Sequence, residues 1–349
     1  MPGLTIAGTG RYLPGRAYTN HDLARVLDTN DEWIRQRTGI VQRHYCPEGQ
    51  GAADLALPAC REALASAGVE PSGIDYILFN TMTPDHLFPG SGTLLGARLG
   101  CVGVPALDLR AQCAAMLYSF QVAEALLATA SIRRILIVGA EAHAALMPWL
   151  DREILDGTTQ RKPSPEAWEL ASRHRGWGVI FGDGAGAIVV ERSDARGSGV
   201  LAVDLHSDGS EASQLCVPAG FRVGRYLGAG EPDSTLIHMQ GREVFKQAVV
   251  RLPRSVEAVC EAAGVRVGDV DWFVAHQANQ RINDAVCERL GIGPERMPSN
   301  IDRFGNTSAA TIPILLDEMR RDGRLKTGQL VCLLAFGAGF HWGSVLVRV

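Results

Sequence analysis

Ala67-Gly-Val-Glu-Pro-Ser-Gly-Ile-Asp-Tyr-Ile-Leu-Phe-Asn80 and Ala263-Gly-Val-Arg-Val-Gly-Asp-Val-Asp-Trp-Phe-Val-Ala-His276 align without a gap, 196 residues apart. Ala, Gly, Val and Asp recur identically, and Ile74/Val270, Tyr76/Trp272 and Leu78/Val274 match by type. Each copy reads as a helix end, a glycine stop and an apolar strand. The order helix, strand, helix, strand follows each copy. Two similar runs of strand–helix units imply a duplicated α/β fold whose corresponding places lie about a pseudo-twofold axis. The expected halves are residues 1–190 and 191–349.

Within the first half, Val104-Pro-Ala-Leu-Asp108 reads as a short strand and Ala114 to Ala130 as a helix free of Gly and Pro. Cys113 stands at their junction. Free N–H groups and the positive end of a helix dipole favour an anion there. A thiol so placed is expected to have a lowered pKa and to be a better nucleophile. The plainer alternative is a small buried apolar residue.

Bulk properties exclude several classes. The 349 residues are 46% hydrophobic and 21% charged, which suits an ordinary globular chain. A net charge of −4 argues against nucleic-acid binding. The start, Met1-Pro-Gly-Leu-Thr-Ile, has no secretory pattern, and no apolar run approaches the ~20 residues that span a bilayer. Eight cysteines contain no CxxC pair, so neither a metal site nor a disulfide framework is expected. A reducing, cytoplasmic compartment fits.

Read in order, Leu4-Thr-Ile-Ala7 is a strand ended by Gly8-Thr-Gly10, and Asn20 caps a helix through Leu27. Ala52 to Ala67 is helical, Ile74 to Phe79 is a strand, and Arg134 to Val138 is a strand buried on both faces. Residues 141–178 carry three tryptophans, a Pro-Ser-Pro and dense mixed charge. They read as an inserted lid, or else as a surface decoration. Val179 to Val190 is glycine-rich without being a dinucleotide fingerprint, since strand residues follow its glycines. Gly241 to Ala263 is a long helix, and Val270 to Val274 is a strand delivering His276. Asn279 to Leu290 is helical, and Asn306-Thr-Ser308 caps a helix through Arg320. Leu330 to Phe336 and Gly343 to Val349 are the last strands.

The repeat brings the Cys113 helix and the Asn306 helix towards one centre, to which His276 is also delivered. An imidazole and an amide aimed at one point can stabilise negative charge on a carbonyl oxygen. The turn Gly337-Ala338-Gly339 lets the Ala338 N–H approach, with that of Cys113, as a second oxyanion site. A thiolate with two such sites suits acyl transfer through a thioester. Taken singly, His276 reads equally as a satisfied core histidine and Asn306 as a mere cap.

At this point the chain resembles the β-ketoacyl-[acyl-carrier-protein] synthase III family of thiolase-like, layered αβαβα fold. The resemblance rests on Asp31-Glu-Trp-Ile…Arg37-Thr-Gly-Ile40, the Cys113 segment, Phe181-Gly-Asp-Gly-Ala-Gly186, His276-Gln-Ala-Asn279, Gly305-Asn306-Thr-Ser308 and Ala335-Phe-Gly-Ala-Gly-Phe-His-Trp-Gly-Ser344. It implies that Cys113 takes an acyl group from coenzyme A. His276 and Asn306 would then assist decarboxylation of malonyl-CoA or a malonyl-acyl-carrier protein and hold the enolate. Trp33, Arg37 and Arg175 match the coenzyme A entrance, and Asn279 a pantetheine tunnel. Phe88 matches a residue that reaches the partner's acyl pocket in a homodimer, and Met116 stands near the pocket floor. No cofactor or metal is implied. An indole and a guanidinium can sandwich an adenine. Arg242, Lys246 and Arg281 offer a basic patch for an acidic carrier protein, or an ordinary solvated face.

Three features depart from the family pattern: Ala115 and Met116 after the nucleophile, Ala338 within the glycine turn, and the long 141–178 segment. They suggest a specialised member serving an unusual primer or a secondary pathway. The competing activities are non-decarboxylative condensation, acyl transfer to an alcohol or amine, thioester hydrolysis, and a catalytically silent partner subunit.

Overall fold

The computed structural model describes residues 3–149, 151–193, 195, 197–220 and 235–349. Leu150, inside the expected insertion, lies outside them. The first sheet comprises β1 (Gly3–Tyr12), β2 (Tyr76–Asn80), β3 (Ala106–Leu109), β4 (Arg134–Glu141) and β5 (Gly184–Ser193), in the spatial order β1-β5-β4-β2-β3. The second comprises β6 (Gly199–Ser207), β7 (Trp272–Ala275), β8 (Leu330–Gly337) and β9 (His341–Arg348), in the order β6-β9-β8-β7. The two orders correspond, and so do the pairings. β2 and β4 are parallel, as are β7 and β8, while the first strand of each half pairs antiparallel with the last. Among the described residues, only β3 has no counterpart in the second sheet.

Side-chain alternation makes five layers. On β4, Ile135 and Ile137 face inward and Leu136 and Val138 outward, all fully buried, as a strand covered on both faces requires. Between the sheets lie α2 (Ala115–Leu127) and α4 (Thr311–Arg321). Their Leu117, Phe120, Ile312 and Leu316 join Ile137, Val274 and Leu333 in one apolar cluster. Outside the first sheet, α1 (Ala52–Ala67) covers Phe79 and Val138; outside the second, α3 (Gly241–Ala262) covers Phe273 and Leu334. Each fully buried Leu, Ile or Phe contributes about 1.5–3 kcal/mol, so the inter-sheet cluster is the main source of cohesion between halves.

Several local expectations are corrected. β1 does not stop at Gly8-Thr-Gly10 but runs through to Tyr12. Those glycines admit the backbone of α1, since a Cβ at Gly8 or Gly10 would fall within 2.3 Å of an α1 carbonyl oxygen. The helix at Asn20 ends at Leu23, and its cap is Thr19, whose hydroxyl and Asp22 form a capping box. Asn20 is instead buried, accepting from Arg43 at 2.7 Å.

The 141–178 segment is no loose lid. Glu141 completes β4, and short helices form at Arg152–Asp156 and Pro165–Arg173. Trp149, Ile154, Leu155, Ala171 and Trp177 are buried with Leu23, Leu27 and Ile34 in a satellite core. Trp168, by contrast, is exposed.

Candidate active site

Cys113 sits in a tight turn, Gln112–Ala114, and α2 begins only at Ala115. Ser308–Ala310 forms the matching turn before α4. The 196-residue spacing of the repeat holds here too, pairing Gln112 with Ser308 and Cys113 with Ala309. Gln112 and Ser308 are the two non-glycine residues of positive φ among those described, at 51° and 46°. A strained conformation repeated at equivalent positions marks two elbows folded alike. Contrary to the sequence expectation, Asn306 does not cap α4, which starts at Thr311. It lies before the second elbow and is paired with Phe181 by an isolated bridge.

One loop, Asn306 to Thr311, connects the catalytic candidates. Ser308 Oγ lies 3.3 Å from Cys113 Sγ. Asn306 Oδ1 accepts from the Ser308 N–H at 2.8 Å, which leaves its Nδ2 hydrogens available as donors. Thr311 Oγ1 lies 3.2 Å from His276 Nδ1, and Thr307 Oγ1 3.2 Å from Thr311 Oγ1. His276 Nε2 is buried without a protein partner. Cys113, His276 and Asn306 are each at least nine-tenths buried.

Electrostatics overturn one expectation. The Cys113 thiol is not lowered but pushed up to about 12. Burial is the main cause; Glu141 adds to it and the Ser308 hydrogen bond opposes it. Placement ahead of a helix does not offset complete desolvation. Burial, reinforced by nearby His143, pushes His276 down to about 3, so its imidazole is neutral near pH 7.

Cys113 opens on a cavity of about 260 Å³ lined by Phe181, Leu215, Ile237, Ala338 and His341 among others. Gly337 is packed against Cys113, since a Cβ there would stand 3.0 Å from Cys113 N and Cβ. That contact keeps the Gly337-Ala338-Gly339 turn beside the cysteine. Met116 is fully buried between the sheets with Phe120 rather than on the cavity wall.

Trp33, which is not among the residues lining that cavity, lies on a helix, Asp31–Thr38, capped by Asn30. The Arg37 and Arg175 guanidinium groups stand 4.5 and 5.1 Å from its ring, and Arg175 is held 2.7 Å from Asp28. Asn279 donates to the Arg37 carbonyl at 2.9 Å and caps the helix Gln280–Leu290. Arg242 and Lys246 are exposed on the first turns of α3, with Lys246 3.6 Å from Glu243. Arg281 is exposed and stands 5.7 Å from the Phe245 ring. Phe88 is 80% exposed.

Sequence reading missed Ser308 as the contact of Cys113, although extending the 196-residue spacing from Gln112 would have reached it. It also missed Glu141. This buried carboxylate accepts from Thr81 Oγ1, from the N–H groups of Met82 and Thr83, and from Ala309 N at 3.4 Å. Glu141 thereby ties the two halves together beside Cys113.

A duplicated five-layer fold that centres a buried cysteine, a neutral imidazole and an amide defines a thiolase-like acyltransferase. Models of 3-oxoacyl-[acyl-carrier-protein] synthase III match residues 107–156 and 169–209, and that of its C-terminal region matches 260–349. A β-ketoacyl-[acyl-carrier-protein] synthase III of Xylella fastidiosa is 42% identical over 343 residues, 98% of this chain and 97% of that protein. The crystal structure of 3-oxoacyl-[acyl-carrier-protein] synthase III from Aquifex aeolicus superposes with a TM-score of 0.84 at 36% identity, covering 99% of this chain and all of that one. A priming β-ketosynthase from the R1128 polyketide pathway reaches the same TM-score at 29% identity, covering 99% and 96%. The chain belongs to the β-ketoacyl-[acyl-carrier-protein] synthase III family.

Proposed function

We propose that this protein condenses an acyl primer with a malonyl thioester and releases carbon dioxide. Cys113 Sγ attacks the acyl-CoA carbonyl, its proton passes to the departing coenzyme A thiolate, and an acyl-enzyme thioester forms. The malonyl carboxylate then leaves as carbon dioxide, and its electron pair is delocalised onto the thioester oxygen. His276 Nε2–H and Asn306 Nδ2–H donate to that enolate oxygen. The enolate carbon attacks the Cys113 thioester, the cysteine leaves as thiolate and takes a proton from solvent to restore the thiol, and a 3-ketoacyl thioester results. The backbone N–H groups of Cys113 and Ala338 stabilise the tetrahedral oxyanion.

The observation that carries this reading is the Asn306–Thr311 loop, which touches Cys113 at one end and His276 at the other. A neutral His276 suits donation to an enolate better than it suits general-base catalysis. The Trp33, Arg37 and Arg175 cluster supports coenzyme A binding. Asn279 lies along the pantetheine path, and Arg242, Lys246 and Arg281 face an acidic carrier protein. The enzyme works in the cytoplasm as a homodimer in which Phe88 closes the partner's acyl pocket.

Intact-protein mass spectrometry tests the sequence of steps. An acyl-CoA panel is expected to leave one adduct on Cys113, absent from Cys113→Ala. Malonyl-CoA or malonyl-carrier protein should discharge it as carbon dioxide and a 3-ketoacyl thioester appear. An adduct that moves only to an alcohol or amine would replace condensation by plain acyl transfer. No adduct from any donor would make the chain a silent subunit.

A further inference from the structure

The Cys113 cavity holds an imidazole that condensation does not use. His341 opens β9 and lines the cavity beside Ala338 and Gly339. Its Nδ1 lies 2.7 Å from Ser207 Oγ, and Ser207 Oγ lies 3.0 Å from Tyr118 OH. Tyr118 OH also lies 2.9 Å from the His206 carbonyl, which can only accept. The directions of the chain follow. Tyr118 spends its one hydrogen on His206, so its oxygen accepts from Ser207. The Ser207 oxygen in turn accepts from His341 Nδ1–H. Nε2 is left with a lone pair, as an acceptor.

The ring is also fixed in place. Tyr118 packs edge-on against it, with centroids 5.8 Å apart and planes at 84°. A Cβ at Gly339 would come within 2.7 Å of Nε2, so the ring leans over the turn that flanks Cys113. Burial favours the neutral ring, which preserves the acceptor. Much of the remaining wall is apolar, including Phe181, Leu215 and Ile237. A half-buried acceptor in such a wall gains when the ligand that covers it supplies a donor and loses when the ligand covers it without one.

We infer that His341 is a specificity-determining residue that selects acyl groups bearing a hydroxyl close to the thioester, with Nε2 accepting the hydroxyl hydrogen. This rests on Cys113 being the acyl acceptor. Sites built to bind a hydroxyl reject analogues that lack it far more strongly than apolar pockets reject an added one.

The test pairs butyryl-CoA with 3-hydroxybutyryl-CoA, equal in chain length and differing by one oxygen atom. Both are offered at equal concentration, and the two Cys113 adducts are counted by intact mass at short times. The hydroxyacyl adduct is expected to prevail by about tenfold or more. In His341→Phe the ratio should fall towards one, and in His341→Gln, whose carbonyl can accept, it should partly recover. Ser207→Ala, which frees the tautomer, should lower the ratio without abolishing it. A wild-type ratio near one, or an unchanged ratio in His341→Phe, would overturn the assignment while leaving the acyl-enzyme intact. Absence of both adducts on the wild-type protein would overturn this assignment and the acyl-enzyme together.

Discussion

Cys113 rests as a thiol, and its reactivity is governed by how much thiolate the site permits. With the group pushed up to about 12, the thiolate fraction grows about tenfold per pH unit through the neutral and mildly alkaline range. Alkylation of Cys113 by iodoacetamide should therefore accelerate steadily from pH 7 to 10. A plateau below pH 9 would contradict the buried, high-pKa thiol. Ser308→Ala removes the contact that lowers the group, so alkylation at pH 8 should slow several-fold. His276 behaves oppositely. Its folded value of about 3 lies below the unfolded 6.5, so the unfolded chain binds more protons between those limits. Its contribution to stability is full above about pH 6.5 and is lost as pH falls towards 3. Urea midpoints taken from pH 7 to 4 should fall, and fall less steeply in His276→Asn.

Among the elements, the strand ends decide how the halves meet. Gly139 on β4 faces the second elbow so closely that a Cβ would come within 2.2 Å of the Ala309 carbonyl oxygen. Gly139→Ala must displace the elbow at Ala309, and we expect a loss of about 3 kcal/mol or more, read from the urea midpoint. Wild-type stability in that variant would show that the strand and the elbow are not in contact. The insertion divides differently. Its tryptophans Trp149 and Trp177 belong to a buried cluster, whereas residues 157–168 are mostly exposed and lie between the matched family segments. Trp177→Ala should cost about 3–5 kcal/mol. Replacing residues 158–163 by a short glycine-serine link should shift the thermal midpoint by no more than a few degrees. A large drop would mean that this loop supports the core.

At the scale of the molecule, β3 is an edge strand, with no further strand paired to it among the described residues. Leu87, Phe88, Val102 and Leu107, on or near that edge in the chain, are exposed at 58, 80, 87 and 41%. Ser91 and Gly92, just after Phe88, donate to Asp108 on β3, which places the Phe88 loop beside the edge. Apolar side chains gathered along an open strand favour pairing with a second copy. Sedimentation should therefore report a dimer at micromolar concentration, and Leu107→Lys should shift it towards monomer with a parallel fall in condensation rate. A wild-type monomer would sink the pairing.

The duplicated architecture was legible in the chain because repeat spacing and side-chain alternation are local, additive signals. A 14-residue match at 196 residues implied the duplicated halves and the pairing of α2 with α4, whereas the strand pairings and the two elbows emerged only in the folded chain. The cysteine, histidine and asparagine could likewise be singled out by type and by motif. What they experience could not. Whether Cys113 is an exposed thiolate or a desolvated thiol depends on everything packed around it, including Ser308 and Glu141 from distant parts of the chain. His341 showed no signal of its own in the sequence. Its tautomer follows from Ser207 and Tyr118, which lie 134 and 223 positions away. Hydrogen-bond direction and desolvation are properties of assembled surroundings, and only the folded chain supplies those surroundings.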